Sequence, residues 1–147
     1  MFNAIRKLLG LESRQSKDTE SRWDPGLFVY VKIPGDIQPL ARGERFEDPL
    51  QSVLEETGLG NVSGGGSQLD DPYPDGRPRV EFCGIDVDVT DCEKALALLK
   101  TKLTELGAPP GTELHYTKDG VKLLDRYEDG AWTEAIPRTV IHPGFGV

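Results

Sequence analysis

A chain of 147 residues has the size of one ordinary domain and can bury roughly 70% of the surface its unfolded form exposes. Its 17 Lys and Arg against 25 Asp and Glu give a net charge of -8, which argues against nucleic acid as a partner, because phosphate binding needs a basic footprint. No apolar run approaches the ~20 residues of a membrane span. Two cysteines with no export signal in the sequence fit reduced thiols in a cytoplasmic protein.

Met1–Leu11 carries Phe2, Ile5, Leu8 and Leu9 on one side of a short helix and Arg6 and Lys7 on the other. A helix this short needs something to pack on: its own domain, a second subunit, or weakly an anionic membrane surface. Residues 12–22 are polar and aperiodic, a linker, so 1–22 is read as a unit apart. The domain proper is expected over 23–136, followed by an extended tail, 137–147, with His142 and Phe145.

Trp23-Asp24-Pro25-Gly26 reads as a turn and Leu27–Ile33 as the first strand, β-branched and aromatic, stopped by Pro34-Gly35. Residues 36–47 are expected to be a loop. Asp48-Pro49 then starts a helix with Asp48 as N-cap and Gln51 completing the capping pattern, Leu50, Val53 and Leu54 inward and Gly58 at its end. Leu59–Leu69 is a second, irregular strand. Its Gly64-Gly65-Gly66 run lacks the following Lys-Ser/Thr helix of a phosphate loop and reads better as a closely packed edge strand.

Arg79–Leu106 is the best-defined stretch. Cys83, Ile85, Val87 and Val89 alternate with Gly84, Asp86 and Asp88, the period of a half-buried strand. Val80 and Phe82 lie in the opposite phase, so a bulge at Cys83-Gly84 is expected to bring both sets to one face. Thr90 and Glu93 match a capping box. Cys92, Ala95, Leu96, Leu99, Leu103 and Leu106 form one helical stripe, and Gly107 followed by Pro109-Pro110 ends it. Residues 112–117, 121–127 and 131–135 then read as an antiparallel meander joined at Asp119-Gly120 and Asp129-Gly130.

The order strand, helix, strand, strand, helix, strand implies an α+β, ferredoxin-like (split βαβ) sandwich with an added C-terminal hairpin and the short N-terminal helix. Strands 27–33 and 80–89 would be its middle pair. The helix ending in Gly58-Leu59-Gly60, the triple-glycine strand and Leu106-Gly107-Ala108-Pro109-Pro110-Gly111-Thr112 resemble parts of small uncharacterised bacterial proteins of this plan. That resemblance covers about half the chain and implies a fold alone.

For chemistry, Asp86 and Asp88 share a strand face and Asp91 opens the helix. Three carboxylates in six residues are a conceivable Mg²⁺ or Ca²⁺ set, but a helix-start aspartate and outward strand acids explain them without a metal. Cys83 and Cys92 read as core thiols. His115 with Glu113 on one strand face is a candidate acid–base pair. Trp23, Tyr73 and Trp132 fall in turns, loops or edges and are candidate hot-spot aromatics.

No nucleophile elbow, zinc spacing or dinucleotide fingerprint is present, so no catalytic, metal or cofactor residue is assigned. The expected role is a non-catalytic protein-interaction domain, able to self-associate, and in its sharper form an acidic inhibitor of the immunity or antitoxin kind. The binding residues would be Trp23, Tyr73, Asp86, Asp88, His115 and Trp132. The alternative is a small-ligand or catalytic domain using the sheet face around His115 and Glu113.

Overall fold

A computed structural model describes residues 23–139. The N-terminal helix, the linker and the tail residues His142 and Phe145 discussed above lie outside the described residues. Six strands, β1 Phe28–Pro34, β2 Gly60–Asp70, β3 Arg79–Val89, β4 Glu113–Lys118, β5 Val121–Glu128 and β6 Ala131–Pro137, form one sheet in the order β2-β3-β1-β4-β5-β6. Every neighbouring pair is antiparallel. The helical elements are a 3₁₀ turn Pro25–Leu27, which takes in the Leu27 expected to open the first strand, α1 Pro39–Arg42, a π turn Gly43–Glu47, α2 Asp48–Thr57 and α3 Cys92–Glu105.

Alternation decides which way each strand faces. Val29, Val31 and Ile33 of β1, and Cys83, Ile85 and Val87 of β3, are fully buried beneath the helices. Phe46, Leu50 and Leu54 meet them from the first helical layer, and Ala95, Leu96, Leu99 and Leu103 from α3. At about 1.5–3 kcal/mol for each fully buried large apolar side chain, this cluster supplies most of the favourable free energy of folding. Tyr30 and Lys32 point to the opposite face, where the Lys32 ammonium sits 4.4 Å from the Phe82 ring centroid.

The turns follow from residue type. Asp119 and Asp129 adopt φ of 51° and 53°, and the glycines after them 78° and 80°, the pair of positive values a two-residue type I′ hairpin needs. Gly107, at φ 76°, lets the amide of Ala108 return to the Leu103 carbonyl at 3.0 Å, closing α3.

Four local expectations need correction. Residues 36–47 are not a loop, because Pro39 onward is helical. Asp48 is therefore no N-cap: it has helical φ and ψ of -64° and -48° inside a continuous rod. The π turn spaces Arg42 and Glu47, five residues apart, onto one side, where Arg42 Nε donates to Glu47 Oε2 at 2.6 Å. In an α-helix those positions point well apart. This ion pair lies against Gly65, whose β-carbon, had it one, would overlap the Glu47 carboxylate.

At the start of α3 the cap is Asp91, which accepts from the Lys94 amide at 3.0 Å, while Thr90 donates to the Gly58 carbonyl at 3.0 Å. Asp91 competes successfully because its carboxylate also complements the helix dipole. Lastly, β3 has no bulge at Cys83-Gly84: its ladder with β1 is unbroken from Asp88 to Phe82. The register against β2 slips instead between Phe82 and Val80. Val80 is buried and Phe82 stays half-buried on the other face.

Gly84 has a packing reason. A β-carbon there would overlap the Tyr30 ring, which lies across it from β1. Gly84→Ala should therefore destabilise the protein by about 1–3 kcal/mol. The same change in a Tyr30→Ala background should cost much less, as urea denaturation of the four species in a double-mutant cycle would show.

Candidate functional site

α2 and α3 lie in one layer on one face of the sheet, and β5 and β6 form an overhang beside α3. Between α3 and this overhang lies a cavity of about 1010 Å³, lined on the α3 side by Cys92, Leu96 and Lys100 and on the sheet side by Tyr116, Leu123 and Asp125. The Asp24–Gly26 turn and the Lys118–Gly120 hairpin, neighbours at one end of the sheet, also line it. That volume suits a drug-sized ligand or a few side chains of a peptide.

Its floor is a buried polar network around Asp125, only 1% exposed. Asp125 shares the phase of Leu123 and so faces the helices rather than solvent. One carboxylate oxygen accepts from the Tyr116 hydroxyl at 2.7 Å and from the Ala135 amide at 2.8 Å. The other lies 2.7 Å from Lys100 Nζ, which also pairs with Glu134. The Ala135 amide reaches inward because the β5–β6 register shifts between Leu124 and Arg126. Ala135 takes φ of 58° there, a left-handed conformation that costs a side-chain-bearing residue roughly 1–2 kcal/mol.

These partners fix the protonation states. Burial presses the Lys100 ammonium toward neutrality, but the Asp125 and Glu134 carboxylates outweigh it and its pKa rises. Burial and then Asp125 push the Tyr116 phenol far up. Burial, Asp91 and Asp125 raise the Cys92 thiol to about 11. Near neutral pH the cavity thus offers a held ammonium, a neutral phenol and a neutral thiol.

The residues singled out from sequence do not gather at this cavity. On the opposite sheet face, His115 Nε2 meets Glu113 Oε1 at 2.8 Å, and Arg126 Nε donates to Glu113 Oε2 at 2.9 Å. The His115 bond, then Arg126, hold Glu113 down to about 2 against burial. Tyr30 stands beside His115 with ring centroids 5.7 Å apart. Asp86 lies across from Tyr30, and Asp88 across from Phe28, on that same face.

Trp23 packs on Phe28, centroids 5.7 Å apart. Tyr73 is tied into its own loop, its hydroxyl donating to Asp36 and its ring under the Arg77 and Arg79 guanidinium groups. Trp132 is on the helix side, its indole donating to Thr104 at 3.2 Å and its ring 5.2 Å from that of Tyr127. Asp91 is occupied as a helix cap, and among the described residues no group of three or more His, Cys, Asp or Glu could hold a metal ion. Among the described residues no helix is long and apolar enough to cross a membrane.

Lys100, Tyr116 and Asp125 were not singled out from sequence. One signal was available: Asp125 stands between Leu123 and Tyr127 in the inward phase, an acid where an apolar residue is expected. Compared with known proteins, the chain matches no family, no curated protein and no solved structure.

Two outcomes follow from these networks. Lys100→Met leaves Asp125 buried without its counter-charge and should cost about 3 kcal/mol in chemical denaturation. Glu113 has a folded pKa near 2 against an ordinary value of 4.5. Its contribution is therefore present above about pH 4.5 and lost as pH falls toward 2. Urea titrations down that range should show Glu113→Gln flattening the acid limb by on the order of 2 kcal/mol, after discounting the part-exposed Arg126 for solvent screening.

Proposed function

We propose that this chain is a non-catalytic binding domain, a ferredoxin-like βαββαβ core extended by a hairpin, that holds a basic segment of a partner protein in the cavity beside α3. The charge of that cavity carries the reading: Asp24, Glu93, Asp119, Asp125 and Glu134 line it against Lys100 and Lys118. Lys100 is already neutralised by two carboxylates, so the remaining field attracts a cation. Leu96, Leu123 and Pro25 supply an apolar surface for the stem of an arginine or lysine side chain. An inhibitor of the immunity or antitoxin kind would use such a surface to occlude a basic active site.

The non-catalytic reading is supported by the protonation states, since neither the Cys92 thiol nor the Tyr116 phenol is an ionised nucleophile near neutral pH. The Glu113–His115 contact favours a second reading, a small-ligand or catalytic site on the opposite face. Glu113 is held ionised there by the His115 bond and by Arg126, and would orient the imidazole rather than exchange protons.

The test is calorimetric titration of the full chain with a short arginine-rich peptide. Saturable binding that weakens with added salt is expected. Glu93→Lys combined with Asp119→Asn, at the rim and outside the buried network, should weaken it by about tenfold. A peptide that binds neither protein, or both equally, would remove the cavity from consideration.

A further inference from the structure

We infer that the outer edge of β2 pairs with the same edge of a second copy of this chain, joining two six-stranded sheets into one. The two edges of the sheet are built differently. At β6 the strand is interrupted by the register shift at Glu134-Ala135, carries a charge there and ends in Pro137. Those are the devices that keep edges from pairing. β2 is 11 residues long, and from Gly60 to Leu69 it contains no charged residue and no proline.

Among the described residues a side chain occupies a backbone amide of β2 only near its start, while Arg42 rests on the Ser67 hydroxyl at 3.1 Å and leaves the backbone there unoccupied. Gln51 Oε1 reaches from α2 and accepts from the Val62 amide at 2.6 Å, which occupies a hydrogen-bonding position near the start of the strand. From Gly65 to Asp70 every residue is exposed, and Leu69 is 56% exposed on an otherwise polar rim. A run of backbone donors and acceptors of this length is a template for another strand.

Self-complementarity selects the occupant. Each chain carries -8, which opposes association of two copies, and the run Gly60–Leu69 adds no acid to that charge, with the Arg42 guanidinium on the Ser67 hydroxyl at 3.1 Å. An isologous pairing also needs a self-complementary strand. Antiparallel pairing about a two-fold axis at Ser67 sets Gly66 across from Gln68 of the second copy and Leu69 across from Gly65. It sets Asp70 across from Gly64, so that no two acids face each other. Val62, already capped by Gln51, falls outside this overlap.

The mass of the full chain should approach twice 16.2 kDa with rising concentration in sedimentation equilibrium. A β-carbon at position 66 meets nothing within 4 Å and Gln68 is exposed, so Gly66→Lys with Gln68→Lys is accommodated within one chain. In the dimer it places lysines directly opposite one another and should raise the dissociation constant by at least about tenfold. The variant's circular dichroism should match that of the parent. Glu56→Lys, on an exposed position of α2, changes net charge by the same amount and should not weaken the dimer. A wild-type monomer at all concentrations, a dimer indifferent to the double substitution, or equal weakening by Glu56→Lys would each overturn the assignment.

Discussion

Two helices packed side by side, each about 10 Å across, span roughly four strands at about 4.8 Å spacing, and this sheet has six. The width mismatch organises the rest of the molecule. Beneath the helices the sheet can be wholly apolar, and Val29, Val31, Ile33, Ile85 and Val87 are buried to 0% exposure. Over β5 and β6 α3 makes polar contacts, Lys100 to Asp125 and Glu134 and Thr104 to Trp132. The chain answers with a groove whose floor is polar.

An ion pair is an expensive way to fill such a floor. Burying charges costs several kcal/mol per ion, and well-packed apolar residues of similar volume often do as well or better. What the Lys100–Asp125 pair adds is direction. Asp125 collects a phenol from β4, an amide from β6 and an ammonium from α3, so the two strands flanking β5 and the helix above it are held to one carboxylate. Removing any one partner leaves a costly buried group. The left-handed Ala135 belongs to the same arrangement, since the shift that strains it aims its amide at Asp125 and makes β6 a poor edge for further pairing.

Much of this was legible in order along the chain. The β1 and β3 strands showed themselves through alternation, α3 through its Leu96–Leu99–Leu103 stripe, and both Asp-Gly hairpins through turn chemistry. The Pro39–Glu47 helix was not legible, because its register passes through a π turn and it offers mainly Leu40, Ala41 and Phe46 as apolar residues. A 3.6-residue period cannot be read across such a break. The shift at Glu81 was misplaced to Gly84, since glycine is the usual mark of a bulge and here it serves instead to admit the Tyr30 ring. The candidate site was hidden for a different reason. Lys100 is an ordinary off-stripe lysine until the fold sets β5 opposite α3, and only Asp125, an acid in an apolar phase, carried a local sign.

The acidic groove and the neutral edge sit at opposite ends of the strand order, β4-β5-β6 against β2. Their separation matters because the two would otherwise conflict: a basic partner drawn to the groove would compete with a second copy for nearby surface. A sheet continued through β2 has twelve strands and places its two grooves about 43 Å apart, far beyond a Debye length of about 8 Å at physiological salt. Binding at one groove would then leave the field at the other unchanged, and the two sites would act independently on separate partners. A single partner with two basic segments would gain avidity only if its linker spanned that distance. If both proposals hold, the spatial division of charge, acidic at the groove and uncharged along the β2 edge, would let one small chain serve both contacts.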